Sequence, residues 1–271
     1  MKKIKNITVA TDLSKNSRVA YKFAQALASA LDSKLHLTHV YMQPTMPHSS
    51  PLLDYLSSPE SLQKLTLTRV KRFARNPSVQ CTVFAGADAD TLIDISDDIE
   101  FLAVGAKGEK GLVDTILGSV SLKVSRNAFC PVLVVPEKSK FNGIKQILFT
   151  TSEGSLKTKH VERAIQFAKQ LGAKLHFVHV SDDKKRFDIS VVDALMSTYD
   201  VPYETANLEY ISERGGIDIY REKNAIDLII TTTHHMGFWE NIFHSSFTKA
   251  LEWNTEVPIL VLHDEDIVDK K

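Results

Sequence analysis

Apolar and polar residues alternate along the chain with two different periods. Short apolar runs rich in β-branched residues, typical of buried strands, cover residues 4–11, 35–40, 79–84, 101–104 and 131–135. Apolar residues three and four positions apart predict a helix over residues 17–31, and further helices are predicted after Ser58-Pro59, over residues 90–98 and from residue 119. Strands that alternate with helices in this way predict a parallel sheet covered on both faces.

The same pattern occurs twice in the sequence. Residues 33–40 (SKLHLTHV) align with residues 173–180 (AKLHFVHV) at an offset of 140, with five of eight residues identical. Residues 131–134 align with residues 258–261 at an offset of 127, because the middle of the second copy is shorter. We therefore predict two domains of one kind, residues 1–137 and 144–271, joined by a polar linker.

Composition indicates an ordinary globular protein. Hydrophobic residues make up 43% of the 271 residues, and 33 basic side chains balance 33 acidic ones, so neither nucleic acid nor a membrane is an expected partner. The apolar runs are too short for a signal peptide or a membrane span, which leads us to expect a cytoplasmic protein. Cys81 and Cys130 lie far apart in apolar surroundings, so we expect buried thiols rather than a disulfide or a zinc site.

A glycine-rich segment, residues 105–121, begins where the strand at residues 101–104 ends. Ligands bind at the carboxyl ends of parallel strands, and glycines there permit positive φ and let backbone amides approach a phosphate. The helix that follows offers N–H groups at its start, and the Ser119 and Ser121 hydroxyls could add donors. A Gly-x-x-Gly before a helix is also typical of a plain turn, so the pattern alone leaves both possibilities open.

The spacing Gly105-x2-Gly108-x9-Gly118-Ser119 resembles the ATP-binding signature of the universal stress protein family. Residues 9–14 (VATDLS), the strand that ends at Val40 and residues 130–136 (CPVLVVP) are similar to other landmarks of that family. The resemblance covers the whole chain, twice. It implies two flavodoxin-like (adenine nucleotide alpha hydrolase-like) α/β domains, each a five-stranded parallel sheet with helices on both faces, packed as an intramolecular pseudo-dimer through their last strands.

The resemblance also implies a site for ATP, AMP or ADP, with or without Mg²⁺, in the first domain. The implied residues are Ala10, Thr11, Asp12 and Val40 for adenine and ribose, Val104, Gly105 and Gly108 beside the ribose and phosphates, and Gly118, Ser119, Val120 and Ser121 for the phosphate chain. Lys107 and Lys110 are positioned to add charge, although exposed loop lysines are more often solvated surface.

The second copy lacks the three signature glycines and the aspartate. The residues at the positions of Gly105, Gly108, Gly118 and Asp12 are Thr231, His234, His244 and Ser152. Side chains then occupy space where a phosphate would lie against bare backbone. We therefore expect this domain not to bind ATP in the family's way, and to serve as a structural half or to bind another ligand.

Histidines and aromatic residues in the second copy allow other interpretations. His234, His235 and His244 could ligate a metal, but two of them are adjacent and no cysteine or carboxylate completes the set, so we predict no metal site. Phe238 and Trp239 either pack over the vacant pocket or form a contact patch. Four strand histidines are expected to be hydrogen-bonded core residues, because i, i+3 positions on a strand face opposite sides; they are His36, His39, His176 and His179.

Three functions fit these features. The first is a stress response protein that acts as a nucleotide-dependent regulatory or protective module. Its bound adenine nucleotide stabilises or switches the pseudo-dimer for unknown protein partners, and further homodimerisation stays open. The second is a slow ATPase or a relative of the ATP pyrophosphatases, but residues 10–15 (ATDLSK) lack their glycine loop, and Glu109 and Asp114 are expected to be solvated rather than catalytic. The third is an interaction module that binds no nucleotide.

Overall fold

A computed structural model describes residues 3–43, 58–107, 118–151, 158–181, 190–209, 213–232 and 256–263. Ten strands are present in these ranges: β1 (Asn6–Ala10), β2 (Lys34–Tyr41), β3 (Gln80–Ala85), β4 (Leu102–Gly105), β5 (Val132–Val135), β6 (Gln146–Thr151), β7 (Lys174–Ser181), β8 (Tyr203–Glu209), β9 (Leu228–Thr232) and β10 (Ile259–Leu262). The α-helices are α1 (Lys15–Leu31), α2 (Pro59–Ala74), α3 (Asp88–Ile95), α4 (Ser119–Asn127), α5 (Thr158–Leu171), α6 (Ser190–Met196) and α7 (Glu213–Lys223), and a 3₁₀ turn (Ser96–Asp98) follows α3.

All ten strands lie in a single sheet, in the order β3-β2-β1-β4-β5-β10-β9-β6-β7-β8. Pairings within the first five strands and within the last five are parallel. The two groups meet where β5 pairs antiparallel with β10, with Leu133 opposite Leu260. The strands that we expected in two five-stranded parallel sheets therefore form one mixed, open sheet, because the outer edges of β5 and β10 hydrogen-bond to each other.

Local signals account for the helix boundaries near the first strands. The Ser14 hydroxyl accepts a hydrogen bond from the Ser17 N–H at the start of α1, and the helix ends at Asp32, whose φ of 53° is left-handed. The start of α2 is as predicted, with Ser58 as N-cap and Pro59 in the first turn. One face of α1 is buried against the sheet and includes Leu27.

One apolar core extends across both halves of the sheet. Phe101, just before β4, stacks on Phe167 of α5, with ring centroids 6.1 Å apart and planes within 9°. Phe23 of α1 meets Phe141 edge-on at 5.2 Å. The Ile4 N–H also donates to Gln170 Oε1 of α5 at 3.2 Å. These contacts link the segments just before β1 and β4 to α5, and α1 to Phe141 in the segment before β6, so they hold the two halves together.

Two further sequence expectations concern thiols and membranes. Cys130 is buried and reduced, as predicted, whereas Cys81 on β3 is a free thiol that is only half-buried. Among the described residues, no helix is both long enough and apolar enough to cross a membrane.

The Phe101–Phe167 stack predicts energetic coupling between the two halves. In a double-mutant cycle of Phe101→Leu and Phe167→Leu, we expect a coupling of about 0.5–1.5 kcal/mol in the free energy of urea unfolding, because each change removes the same ring pair. Leu65→Ala, at a side chain that is 60% exposed, is the control and should change stability by less than about 0.5 kcal/mol. Strictly additive effects would contradict the contact.

Candidate functional site

The candidate site lies where the strand order of the first half reverses. β1 has β2 on one side and β4 on the other, so the carboxyl ends of β1 and β4 flank a switch point of the kind at which α/β sheets bind ligands. The Gly118 N–H donates to the Ala106 carbonyl at 2.6 Å. This hydrogen bond holds the start of α4 directly against the end of β4.

The first turn of α4 presents backbone amides at this point. Gly118 is the N-cap, with φ −70° and ψ 159°, and in the described part of the chain no side chain caps the helix start. The first bond of the helix runs from the Leu122 N–H to the Gly118 carbonyl at 3.0 Å. The amides of Ser119, Val120 and Ser121 precede it, so they are the groups that a helix start offers to an anion.

The two serines of this turn differ in what their hydroxyls do. Ser121 is buried, and its hydroxyl lies 2.7 Å from the Ala106 carbonyl and 2.9 Å from the Gly118 carbonyl, to which it donates. Ser119 is exposed at the first helical position. We expected both hydroxyls to act as donors at the site, but that of Ser121 is used to fix the turn.

The glycine backbone differs from our expectation. Neither Gly105 nor Gly118 has a positive φ, so the freedom of glycine in the left-handed region is not used at these positions. A Cβ on Gly105 would meet the Asn16 carbonyl and Ser17 Cα, both at 3.6 Å, which is ordinary contact. Gly105 thus brings β4 close to the start of α1. Gly108 and Lys110 lie outside the described residues.

A tight turn follows β1 and uses the polar groups of Thr11. Its N–H donates to the Thr38 carbonyl at 2.9 Å, and its Oγ1 accepts the Leu13 N–H at 3.0 Å. The hydroxyls of Thr11 and Ser17 are 2.8 Å apart. Leu13 has a left-handed φ of 66°. Thr11 therefore shapes the turn from β1 into α1.

Asp12 takes part in the same turn. One of its carboxylate oxygens accepts the Ser14 N–H at 3.0 Å, and Asp12 itself is half-buried. Because the backbone hydrogen bond orients the carboxylate, Asp12 is placed at the rim of the switch point. Lys107, also half-buried, follows β4 on the same edge of the sheet.

The apolar residues of the predicted site lie behind these groups. Val40 at the end of β2 and Val104 in β4 are both buried, and both belong to the core on the α3 and α4 side of the sheet. Ala10 ends β1 and packs against the same core. The structure thus brings together all the predicted site residues that it describes.

His39 is a site neighbour that sequence reasoning assigned only to the core. Its Nδ1 donates to the Thr11 carbonyl at 2.6 Å, so it braces the turn after β1 from the adjacent strand. The side chain is half-buried. Its position two residues before the end of β2 is the sequence signal that could have placed it at the site.

The other strand histidines are largely as expected. His36 Nε2 is 2.7 Å from Thr82 Oγ1, and His176 Nε2 is 2.7 Å from Gln146 Oε1. Burial lowers the pKa of both imidazoles, opposed at His176 by the charge of Glu204, which raises it. His179 is buried, whereas His36 is only half-buried. Within the described ranges, no group of three side chains is arranged to hold a metal.

The matching region of the second half carries side chains in place of glycine backbone. Thr231, at the position of Gly105, is fully buried at the end of β9. His263 follows β10, and its Nε2 donates to the Ser125 carbonyl of α4 at 2.9 Å. Arg163 of α5 is buried and donates to the His263 carbonyl at 3.0 Å. This side-chain packing differs from the glycine backbone at the first switch point.

Several predicted features of the second half lie outside the described residues. They are Ser152, His234, His235, Phe238, Trp239 and His244.

Comparison with known proteins decides the family. Residues 3–136 match the model of the universal stress protein family. Universal stress protein YxiE of Bacillus subtilis is 30% identical over 141 residues, which cover 47% of this chain and 95% of YxiE. The chain belongs to the universal stress protein family.

Other universal stress proteins match nearly the full length of the chain. Universal stress protein Slr1230 of Synechocystis is 25% identical over 288 residues, covering 95% of this chain and 99% of that protein. A crystal structure of a universal stress protein from Archaeoglobus fulgidus has a TM-score of 0.66 at 18% identity, with 95% of this chain and 96% of that chain covered. The likeness to the solved structure shows that the fold extends beyond the first half.

The hydroxyl geometry at the start of α4 predicts unequal roles for its serines. Ser121→Ala should lower the free energy of unfolding by about 1 kcal/mol, because the buried Ala106 carbonyl loses its hydroxyl donor. Ser119→Ala is the matched control and should stay within about 0.5 kcal/mol of the wild type. Denaturant unfolding of the two variants compares them, and equal stabilities would contradict the buried hydrogen bond.

Proposed function

We propose that residues 1–137 form a domain that binds one adenine nucleotide, ATP or its diphosphate or monophosphate. The observation that carries the proposal is the start of α4, where three successive amides, uncapped by any described side chain, lie against the end of β4. Such a helix start favours a phosphate through its N–H groups and its dipole. Membership of the universal stress protein family supports a nucleotide as the source of that phosphate.

The hydrogen bonds divide the implied residues into two groups. Ser119 and Val120, with the Gly118 backbone, are proposed to contact the phosphates, and Ala10 and Asp12 to contact ribose and adenine. The remaining implied residues position these groups or shape the pocket walls, because their polar groups are engaged within the protein or they lie in the core: Thr11, Val40, Val104, Gly105 and Ser121. Gly108 is proposed to border the phosphates.

The second half, residues 144–271, is proposed as the structural partner in an intramolecular pseudo-dimer. Its strand order β10-β9-β6-β7-β8 repeats the order β5-β4-β1-β2-β3 of the first half. The buried Thr231 side chain replaces the bare backbone of Gly105, so we propose one nucleotide per chain. On the composition and the short apolar runs, we propose a cytoplasmic location.

Hydrogen bonds that connect the candidate site to the β5–β10 strand pair support a regulatory role. The Ala106 N–H donates to the Val135 carbonyl at the end of β5 at 2.9 Å, and β5 pairs with β10. Ala106 also accepts from Gly118 and Ser121 at the start of α4. A nucleotide that binds this turn therefore stabilises the strand pair that joins the halves, which suits a nucleotide-dependent regulatory or protective protein.

The proposal predicts that a negative charge at the start of α4 weakens nucleotide binding without destabilising the fold. In Ser119→Glu we expect ATP affinity to fall at least about tenfold, because a carboxylate then occupies the place of the phosphates. The thermal midpoint should not fall, since an acidic residue in the first turn is favourable to a helix. Isothermal titration calorimetry on nucleotide-free protein measures affinity and stoichiometry.

Ser245→Glu makes the same change at the matching sequence position of the second copy and should leave ATP binding intact. The wild type should bind one ATP per chain. Two sites, no binding, or equal loss in both variants would contradict the assignment.

A slow ATPase is the second candidate, but the described residues favour simple binding. The Asp12 carboxylate is oriented by the Ser14 N–H as part of a turn, which is a structural use of that group. Phosphate release from the purified protein, with Asp12→Asn as comparison, separates turnover from binding.

A further inference from the structure

Strand β3, in the first half of the chain, forms one of the two outer edges of the sheet. It pairs with β2 on one side only, with Tyr41 opposite Ala85. The Gly86 N–H donates to the Tyr41 carbonyl at 3.0 Å. In a parallel strand, the N–H and C=O of one residue point to the same side, and successive residues alternate. Thr82 and Phe84 therefore point their backbone groups toward β2.

The intervening residues of β3 direct their backbone groups away from the sheet. These residues are Cys81, Val83 and Ala85. In the described part of the chain, their outward N–H and C=O groups make no hydrogen bond. Charged residues and prolines usually protect a sheet edge from pairing with another chain, and the strand QCTVFA contains neither. At the opposite edge of the sheet, strand β8 contains two charged residues, Glu204 and Glu209.

Helix α2 covers the face of the sheet beside this edge and is strongly basic. Its exposed cations, including the C-cap residue, are Lys64, Arg69, Lys71, Arg72 and Arg75. Glu60 in the first turn is the acidic residue of the helix. α2 packs against β3, with Val70 and Phe73 of the helix and Val83 of the strand in one apolar cluster. Burial raises the pKa of the Cys81 thiol on β3, and the positive charge of Lys71 opposes that rise.

The other face of the same edge is apolar at Phe84 and has acidic residues only beyond the carboxyl end of β3, in α3. α3 begins just after β3 and shares an apolar cluster with the half-buried Phe84, whereas the 3₁₀ turn that follows it is held by a hydrogen bond from the Phe129 N–H, just before β5, to the Ser96 hydroxyl. In the first turn of α3, Asp88 is exposed, and Asp90 Oδ1 forms an ion pair with Lys123 Nζ of α4 at 2.6 Å. A chain lying along β3 therefore meets the cations of α2 on one face and the apolar side chain of Phe84 on the other.

We propose that β3 is a docking edge for an extended segment of another protein, which adds to the sheet as a further strand. Its backbone pairs with the outward groups of Cys81, Val83 and Ala85. Alternate side chains of the segment face opposite sides of the sheet, so acidic residues lie toward α2 and uncharged residues lie toward Phe84 and α3.

Charge distinguishes this partner from two others. Antiparallel pairing of β3 with β3 of a second copy would place two basic α2 helices on one face, where like charges repel. A nucleic acid would use the cations of α2 but has no peptide groups to pair with the strand edge. A polypeptide in which acidic and uncharged residues alternate can contact the cations of α2 and also pair its peptide groups with the outer edge of β3.

A labelled peptide tests the proposal on the full chain. The probe is a fluorescein-labelled heptapeptide, Glu-Val-Glu-Val-Glu-Val-Glu, whose binding is followed by fluorescence anisotropy. A peptide of the same composition with its glutamates in one block, the alternating Lys-Val peptide, and a seven-nucleotide oligouridylate are the comparisons. We expect the alternating acidic peptide to bind at least about fivefold tighter than each of them.

Two variants distinguish the contribution of backbone pairing at β3 from the contribution of the positive charge of α2 to peptide affinity. Ala85→Pro removes one outward N–H and no bond to β2, so peptide affinity should fall about fivefold to tenfold, while Ala85→Ser keeps it. Lys71→Glu should reduce affinity about fivefold at low salt, and the same change at the exposed Lys169 of α5 should not. Unchanged thermal midpoints show that each variant is folded.

Three results would overturn the proposal. They are no binding of the alternating acidic peptide at millimolar concentration, equal binding of the block peptide or the oligouridylate, and retention of peptide affinity in Ala85→Pro. Because none of these substitutions lies at the start of α4, ATP binding by the same variants reports on the proposed nucleotide site separately.

Discussion

The antiparallel pairing of β5 with β10 is the contact on which the rest of the molecule depends. Three buried residue pairs, centred on Leu133 and Leu260, convert two parallel five-strand arrangements into one sheet. With the two edges joined, a single apolar core extends over one face, and the Phe101–Phe167 stack becomes possible. A sheet edge left open at β5 would expose both a hydrogen-bonding ladder and a fully apolar strand.

The candidate site is built on the same strand arrangement. Ala106 links the end of β5 to the first turn of α4, and His39 and Thr11 brace the turn on the other side of the switch point. Most polar side chains here hold the backbone in place and leave amides to meet a ligand. Such a site has its geometry largely formed before binding, which lowers the ordering cost of holding an anion.

Local signals explain why so much of the fold could be predicted from the sequence. The helix predicted over residues 17–31 is α1, Lys15–Leu31, because its caps and apolar face are encoded within the segment. The residue pattern alone could not predict the single sheet, because β5 and β10 are far apart in sequence. The family resemblance implied contact through the last strands, but with two separate five-stranded sheets. The local spacing around Gly118 was enough to predict a turn before a helix. The hydrogen bond of the Ser121 hydroxyl could not be predicted, because only the fold brings its acceptor, the Ala106 carbonyl, close to it.

Hydrogen exchange measured by mass spectrometry, with and without ATP, tests the central claim of one nucleotide held at the first switch point. The account predicts slower exchange in peptides that contain Ser119–Asn127 and the turn after β1, extending to β5 through Ala106. Peptides around Thr231 in the second half should show no direct protection. Protection at the second half alone, or equal protection in both halves, would contradict it.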